Sequence, residues 1–69
     1  MKIGARNRLD GEVIKIKRGA VMCQVEVRVA GGAHMESVMT LDSLDDMGLN
    51  VGDNVRVAVK AVNVLLLRD

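Results

Sequence analysis

Val21-Met22-Cys23-Gln24-Val25-Glu26-Val27-Arg28-Val29 alternates without a break. Val21, Cys23, Val25, Val27 and Val29 fall on one side of an extended chain, and Met22, Gln24, Glu26 and Arg28 on the other, because successive side chains of a strand point to opposite faces. On a helix the same apolar residues would be scattered around the circumference. The stretch therefore predicts a β-strand with one face in a core and one in water, and its valines suit a pleated, half-buried surface.

Moving outward from it, Arg18-Gly19-Ala20 is a turn signal. Before that turn come Leu9, Gly11 and Val13, then Ile14-Lys15-Ile16-Lys17 in the opposite phase. This reads as a first strand with the phase change that a bulge near Val13-Ile14 would produce. On the other side, Ala30-Gly31-Gly32-Ala33 is a glycine-rich hairpin turn. It leads to a third strand over residues 34–41, with Met35, Ser37 and Met39 on one face and Val38 and Thr40 on the other. The alternation then stops at Asp42-Ser43-Leu44-Asp45-Asp46-Met47-Gly48-Leu49. Asp42 or Ser43 can cap a short helix and Gly48 can end it, with Leu44 and Met47 plugging the bottom of the sheet. After the turn Asn50-Val51-Gly52-Asp53, Val55, Val57 and Val59 mark a fourth strand. Residues 62–67 make a fifth after a kink at Lys60-Ala61. Three strands, one short helix and two strands is the order of an all-β, five-stranded OB-like barrel with its helix between strands three and four.

With 69 residues the chain forms a single domain, 1–69. One core below roughly 70–80 residues rarely supplies more than about 3–5 kcal/mol, so such domains lean on disulfides, a metal or association. A single cysteine, Cys23, excludes an internal disulfide, and Cys23 with His34 is too small a set for structural zinc. Association remains. The fifth strand points the same way: Val62, Val64, Leu65, Leu66 and Leu67 are apolar on both faces, and a strand of that kind must be covered on both. The chain is 49% hydrophobic yet has no Phe, Tyr or Trp, so its core is built from small branched side chains and Met. A net charge of +1 gives no general attraction to nucleic acid or anionic membrane. Met1-Lys2-Ile3 leads straight into polar residues, no signal peptide is expected, and no run reaches the ~18 apolar residues of a membrane span. These features, with the lone thiol, suit a reducing cytoplasm.

Two short stretches carry the candidate chemistry. Gly4-Ala5-Arg6-Asn7 puts a guanidinium, a carboxamide and sterically open amides at the entrance to the first strand, and Lys60-Ala61 puts a second cation near the end of the fourth. Arg offers a fixed fork of donors suited to a multi-oxygen anion, and Lys a compact positive charge. Small neighbours let a backbone amide approach an anion closely.

Taken together, Ala5-Arg6-Asn7 with Leu9 and Gly11, Lys17-Arg18-Gly19-Ala20-Val21, Ala30-Gly31-Gly32, the segment 43–49 and Lys60-Ala61-Val62-Asn63-Val64 resemble the molbindin family, small molybdate- and tungstate-binding proteins made of one Mop domain. The resemblance covers nearly the whole chain. It implies strand-exchanged dimers assembling as a trimer of dimers into a homohexamer, with molybdate or tungstate as bound ligand at subunit interfaces and no organic cofactor. Carried over residue by residue, it implies an oxyanion site of Gly4, Ala5, Arg6, Asn7, Ser43, Lys60 and Ala61, and a second near the threefold axis at Gly19, Ala20 and Val21. The family usually has Ser before Ala-Arg-Asn. Here position 4 is Gly, which removes a hydroxyl donor and keeps the backbone N–H.

Other readings compete at several positions. Cys23, on the inward face, reads as a small core residue rather than a reactive thiol. His34 reads as a solvated strand-start residue, the five methionines as gap-fillers, and Lys15, Lys17 and Arg18 as a solvated basic face. Asp42, Asp45 and Asp46 read as helix-start charges, since a calcium loop needs denser oxygen ligands. No nucleophile–base–acid set and no phosphate loop is present, so an enzyme is not expected. An OB module for single-stranded nucleic acid would need stacking aromatics, which the chain lacks. A structural assembly module with vestigial anion sites is the alternative that Gly4 keeps open.

Overall fold

The computed structural model describes residues 7–68. Four strands, β1 (Asn7–Arg18), β2 (Met22–Val29), β3 (His34–Thr40) and β4 (Asn54–Val59), form one antiparallel sheet in the order β3-β2-β1-β4. A single helix, α1 (Leu41–Met47), lies between β3 and β4. The long β1 serves both neighbours. Its first half, Asn7 to Glu12, pairs with β4, and its second, from Gly11 onward, pairs with β2. Where the halves meet, Val13 faces Val27 and Lys15 faces Glu26, which leaves Ile14 as the extra residue of a bulge. The change of phase between Val13 and Ile14 thus has the cause the alternation suggested.

The alternating stretch builds the core. Cys23, Val25, Val27 and Val29 of β2 are buried with Val13 of β1 and Leu44 of α1, and Ile16, Met35, Met39, Leu41, Leu49, Val55 and Val57 pack around them. Burying a leucine or valine fully is worth about 1.5–3 kcal/mol relative to leaving it exposed. Gly11 leaves no room for a side chain against β2: a Cβ there would overlap the Val27 side chain and crowd the Arg28 carbonyl.

Three expectations are corrected. The helix cap is Thr40, not Asp42 or Ser43. Its Oγ1 accepts the Ser43 N–H at 3.1 Å, because β3 ends at Thr40 in the extended conformation an N-cap requires and leaves Leu41 as the first helical residue. At the other end Gly48 adopts φ 64° and donates its N–H to the carbonyls of Leu44 and Asp45, the termination expected of it. Leu44 plugs the sheet but Met47 does not: it is exposed, since a helix of barely two turns turns only one stripe inward. Val21 precedes β2 and is also exposed, in the turn.

Among the described residues, the fifth strand is not formed within one chain. After β4 the chain makes a 3-10 turn at Ala61–Asn63, and residues 64–68 pair with none of the four strands. Val62, Leu65, Leu66 and Leu67 are 84%, 84%, 92% and 93% exposed. Two-sided apolarity signals that a segment must be covered. It does not signal that a free strand edge lies within the segment's own reach. The architecture shown by the described residues is a curled four-stranded antiparallel sheet closed at one end by a helix. Its two edges, β3 and β4, contribute Ser37, Met39, Val55 and Val57 to the wall of one apolar cavity of ≈ 170 Å³.

Candidate functional site

Asn7 opens β1 directly opposite Val59, the last residue of β4, so the antiparallel register carries Asn7 and the following Lys60-Ala61 to the same end of the sheet. Gly4, Ala5 and Arg6 lie outside the described residues. Lys60 is extended and exposed, and its carbonyl accepts the Asn63 N–H at 2.9 Å, which folds Ala61, Val62 and Asn63 into the 3-10 turn. The amides of Ala61 and Val62 donate to no acceptor among the described residues. Asn7, Arg8 and Leu9 of β1, Met35 of β3, Val59 of β4, and Asn63 and Val64 line a cleft of ≈ 630 Å³ at this end. No carboxylate is among its lining residues.

Ser43 is elsewhere. It sits in the first turn of α1, where the Thr40 hydroxyl donates to Ser43 Oγ at 2.9 Å, leaving the exposed serine its own proton to offer outward. The helix begins beside the far end of β1. Thr40 pairs with Met22, the neighbouring Cys23 faces Arg18, and Arg18 forms an ion pair with Asp45 at 3.2 Å. One chain thus brings Asn7, Lys60 and Ala61 together and holds Ser43 apart, at the opposite end of the sheet. The separation is invisible in the linear motif because it depends on which ends of β1 meet β3 and β4.

The second candidate, Gly19-Ala20-Val21, is the β1–β2 turn. The Gly19 N–H donates to the Met22 carbonyl at 2.8 Å, and the Val21 carbonyl accepts the Leu41 N–H at 2.9 Å. Ala20 and Val21 keep amides that donate to nothing among the described residues, on a turn that is exposed throughout. The other residues weighed from sequence are structural. Cys23 is buried, with its Sγ 4.0 Å from the Thr40 carbonyl oxygen. His34 is exposed at the start of β3, 3.7 Å from Glu26. No group of three or more His, Cys, Asp or Glu among the described residues could hold a metal. Among them, no helix is long and apolar enough to cross a membrane.

A small, curled sheet with a short helix after its third strand, cationic and amide groups at one end and an uncovered apolar tail is a specific combination. Residues 4–66 match the TOBE domain. The chain belongs to the Mop, or molbindin, family. Among its Mop relatives, molybdenum-pterin-binding protein 3 of Clostridium pasteurianum is 37% identical over 67 residues, covering 97% of this chain and 98% of that protein. The structure of a molybdate-binding protein from Sporomusa ovata superposes with a TM-score of 0.90 at 35% identity, over 99% of this chain and all of that one. The cytoplasmic molybdate-binding protein ModG, with molybdate bound, matches with a TM-score of 0.81 at 41% identity, over 88% of this chain and 43% of that chain. The names of these relatives describe binding proteins.

Arg8, Leu9, Met35, Val59, Asn63 and Val64 line the cleft and are not among the candidate site residues read from the sequence. Asn63 had a readable signal, standing three residues after Lys60 in a segment that breaks the alternation. Met35 had none, because its approach to the cleft depends on the curl of the sheet.

Proposed function

We propose that this Mop domain, spanning residues 1–69, binds molybdate or tungstate at interfaces between copies of itself and serves as a cytoplasmic store and buffer for the oxyanion. The observation that carries the reading is the division of the site. Asn7, Lys60 and Ala61 lie at one end of the sheet and Ser43 at the other, which supports a shell that two copies close together when Ser43 belongs to it. Molybdate and tungstate are tetrahedral dianions without a proton at neutral pH, and they need donors on every oxygen. Arg6 and Lys60 supply charge, Ser43 a hydroxyl, and Gly4, Ala5, Asn7 and Ala61 amide or backbone donors. Monohydrogen phosphate keeps a proton and is better held where an acceptor is present, so a donor-rich shell disfavours it. Gly19, Ala20 and Val21, with two open amides on an exposed turn, form a second shell where copies meet around a threefold axis.

The assembly is a homohexamer of three strand-exchanged dimers. Residues 64–67 of one copy supply the fifth strand to another, along the free edges β3 and β4, and cover the cavity between them. The reading involves no organic cofactor, nucleic acid or membrane. Isothermal titration of the purified protein with molybdate, tungstate, sulfate, phosphate and a pterin tests it. Saturable binding of molybdate or tungstate in preference to the other ligands is the expected result. No binding of either oxyanion by a fully assembled protein would favour the second reading, an assembly module whose site has lapsed with the hydroxyl missing at Gly4.

A further inference from the structure

We infer that Asn63, with Arg8 beside it, is a further oxyanion-contacting group of this site, in addition to the residues that the family pattern supplies. Three observations on the same cleft carry this. First, Lys60 and Asn63 are joined by the bond from the Asn63 N–H to the Lys60 carbonyl, the closure of a 3-10 turn. That bond holds Asn63 within one turn of chain of Lys60, the extended residue that precedes the turn. Second, Asn63 and Arg8 line the same cleft as Asn7, the site residue at the start of β1. Third, the side chains of Asn7, Arg8 and Asn63 make no hydrogen bond or ion pair among the described residues.

The chemistry suits the ligand class. A carboxamide offers two N–H donors and a guanidinium a planar fork of five, and neither loses a proton near neutral pH. With no carboxylate lining the cleft, an arriving dianion meets no acidic side chain among the residues that line it, and Arg8 supplies a positive charge. Asn63 thereby restores a donor to a shell that lacks a hydroxyl at position 4. The inference rests on the reading of this end of the sheet as an oxyanion site.

The experiment is molybdate titration of the assembled wild-type protein and of Asn63→Ala, Asn63→Asp, Asn63→Ser and Arg8→Ala, with light scattering and melting temperature on each. Asn63→Ala and Arg8→Ala are expected to weaken binding about tenfold, the scale of one hydrogen bond to a charged partner. Asn63→Asp should weaken it further, because a carboxylate repels the dianion, and Asn63→Ser should recover part of the loss. Assembly and melting temperature should not move. Wild-type affinity in both Asn63→Ala and Asn63→Asp would overturn the role of Asn63 and leave the oxyanion reading standing. A loss that tracks dissociation in light scattering would assign Asn63 to the subunit contact instead. Failure of wild type itself to bind would overturn the oxyanion reading, and this inference with it.

Discussion

A single methyl group at Gly11 would do more damage than most changes on this chain. A Cβ at this position would have to displace Val27, a core residue, and press on the backbone carbonyl of Arg28. Gly11→Ala should lower stability by about 1–3 kcal/mol, the usual cost of overpacking, read as a shift in the urea midpoint. A midpoint equal to that of wild type would mean that the strands separate freely there. At the candidate site the decisive contrast is between charge and carboxamide. Lys60→Ala should cost more molybdate affinity than Asn7→Ala, since hydrogen bonds to charged groups are worth about 1.5–3 kcal/mol and neutral ones about 0.5–1.5. Calorimetric titration of both variants ranks them, and the reverse order would move the anion away from Lys60. Both residues were visible as candidates from their types and neighbours alone. That β1 and β4 would bring them to one end was legible only once the strand directions were known.

Among the elements, α1 is the one whose cap the linear pattern misjudged. One acid and a serine, Asp42 and Ser43, offered themselves as caps, and the choice fell to Thr40 because the pairing of β3 with β2 runs to Met22–Thr40 and fixes Thr40 as extended. Thr40→Ala should therefore cost about 1 kcal/mol, within the 0.5–2 kcal/mol span for lost N-caps, and thermal unfolding should show it as a lower melting temperature. Asp42→Ala should change little by comparison, and equal losses in the two variants would put the cap back on Asp42. The four strands, by contrast, could be read almost to the residue from period-2 alternation. Each has one face on the core, and burial imposes the alternation directly. The bulge in β1 was legible for the same reason, as a break in phase.

For the molecule as a whole, the uncovered tail decides behaviour. Leu65, Leu66 and Leu67 are almost fully exposed in one chain, and β3 and β4 each present an open edge. Placing a charge there, as in Leu66→Asp, should shift the protein to smaller species in light scattering and lower its melting temperature, because folding and association are then linked. A variant that kept wild-type mass would show that the tail is not what joins the copies. The apolar surplus of residues 62–67 was legible in the sequence. The missing fifth strand was not, since hydrophobicity says that a segment is to be buried and is silent on which chain buries it.

The extra residue in β1 has one more consequence. Before Ile14 the odd-numbered residues Gly11 and Val13 face inward. After it the rule inverts: Ile16 packs on the core while Lys15 and Lys17 stay outside, beside Glu26 and Gln24. A strand sliding by one position would drive two ammonium groups into a pocket of valines, a cost far above anything the slipped pairing could return. The irregularity acts as a keyed joint. Since β1 borders both β2 and β4, that key sets the alignment of the whole sheet with one residue.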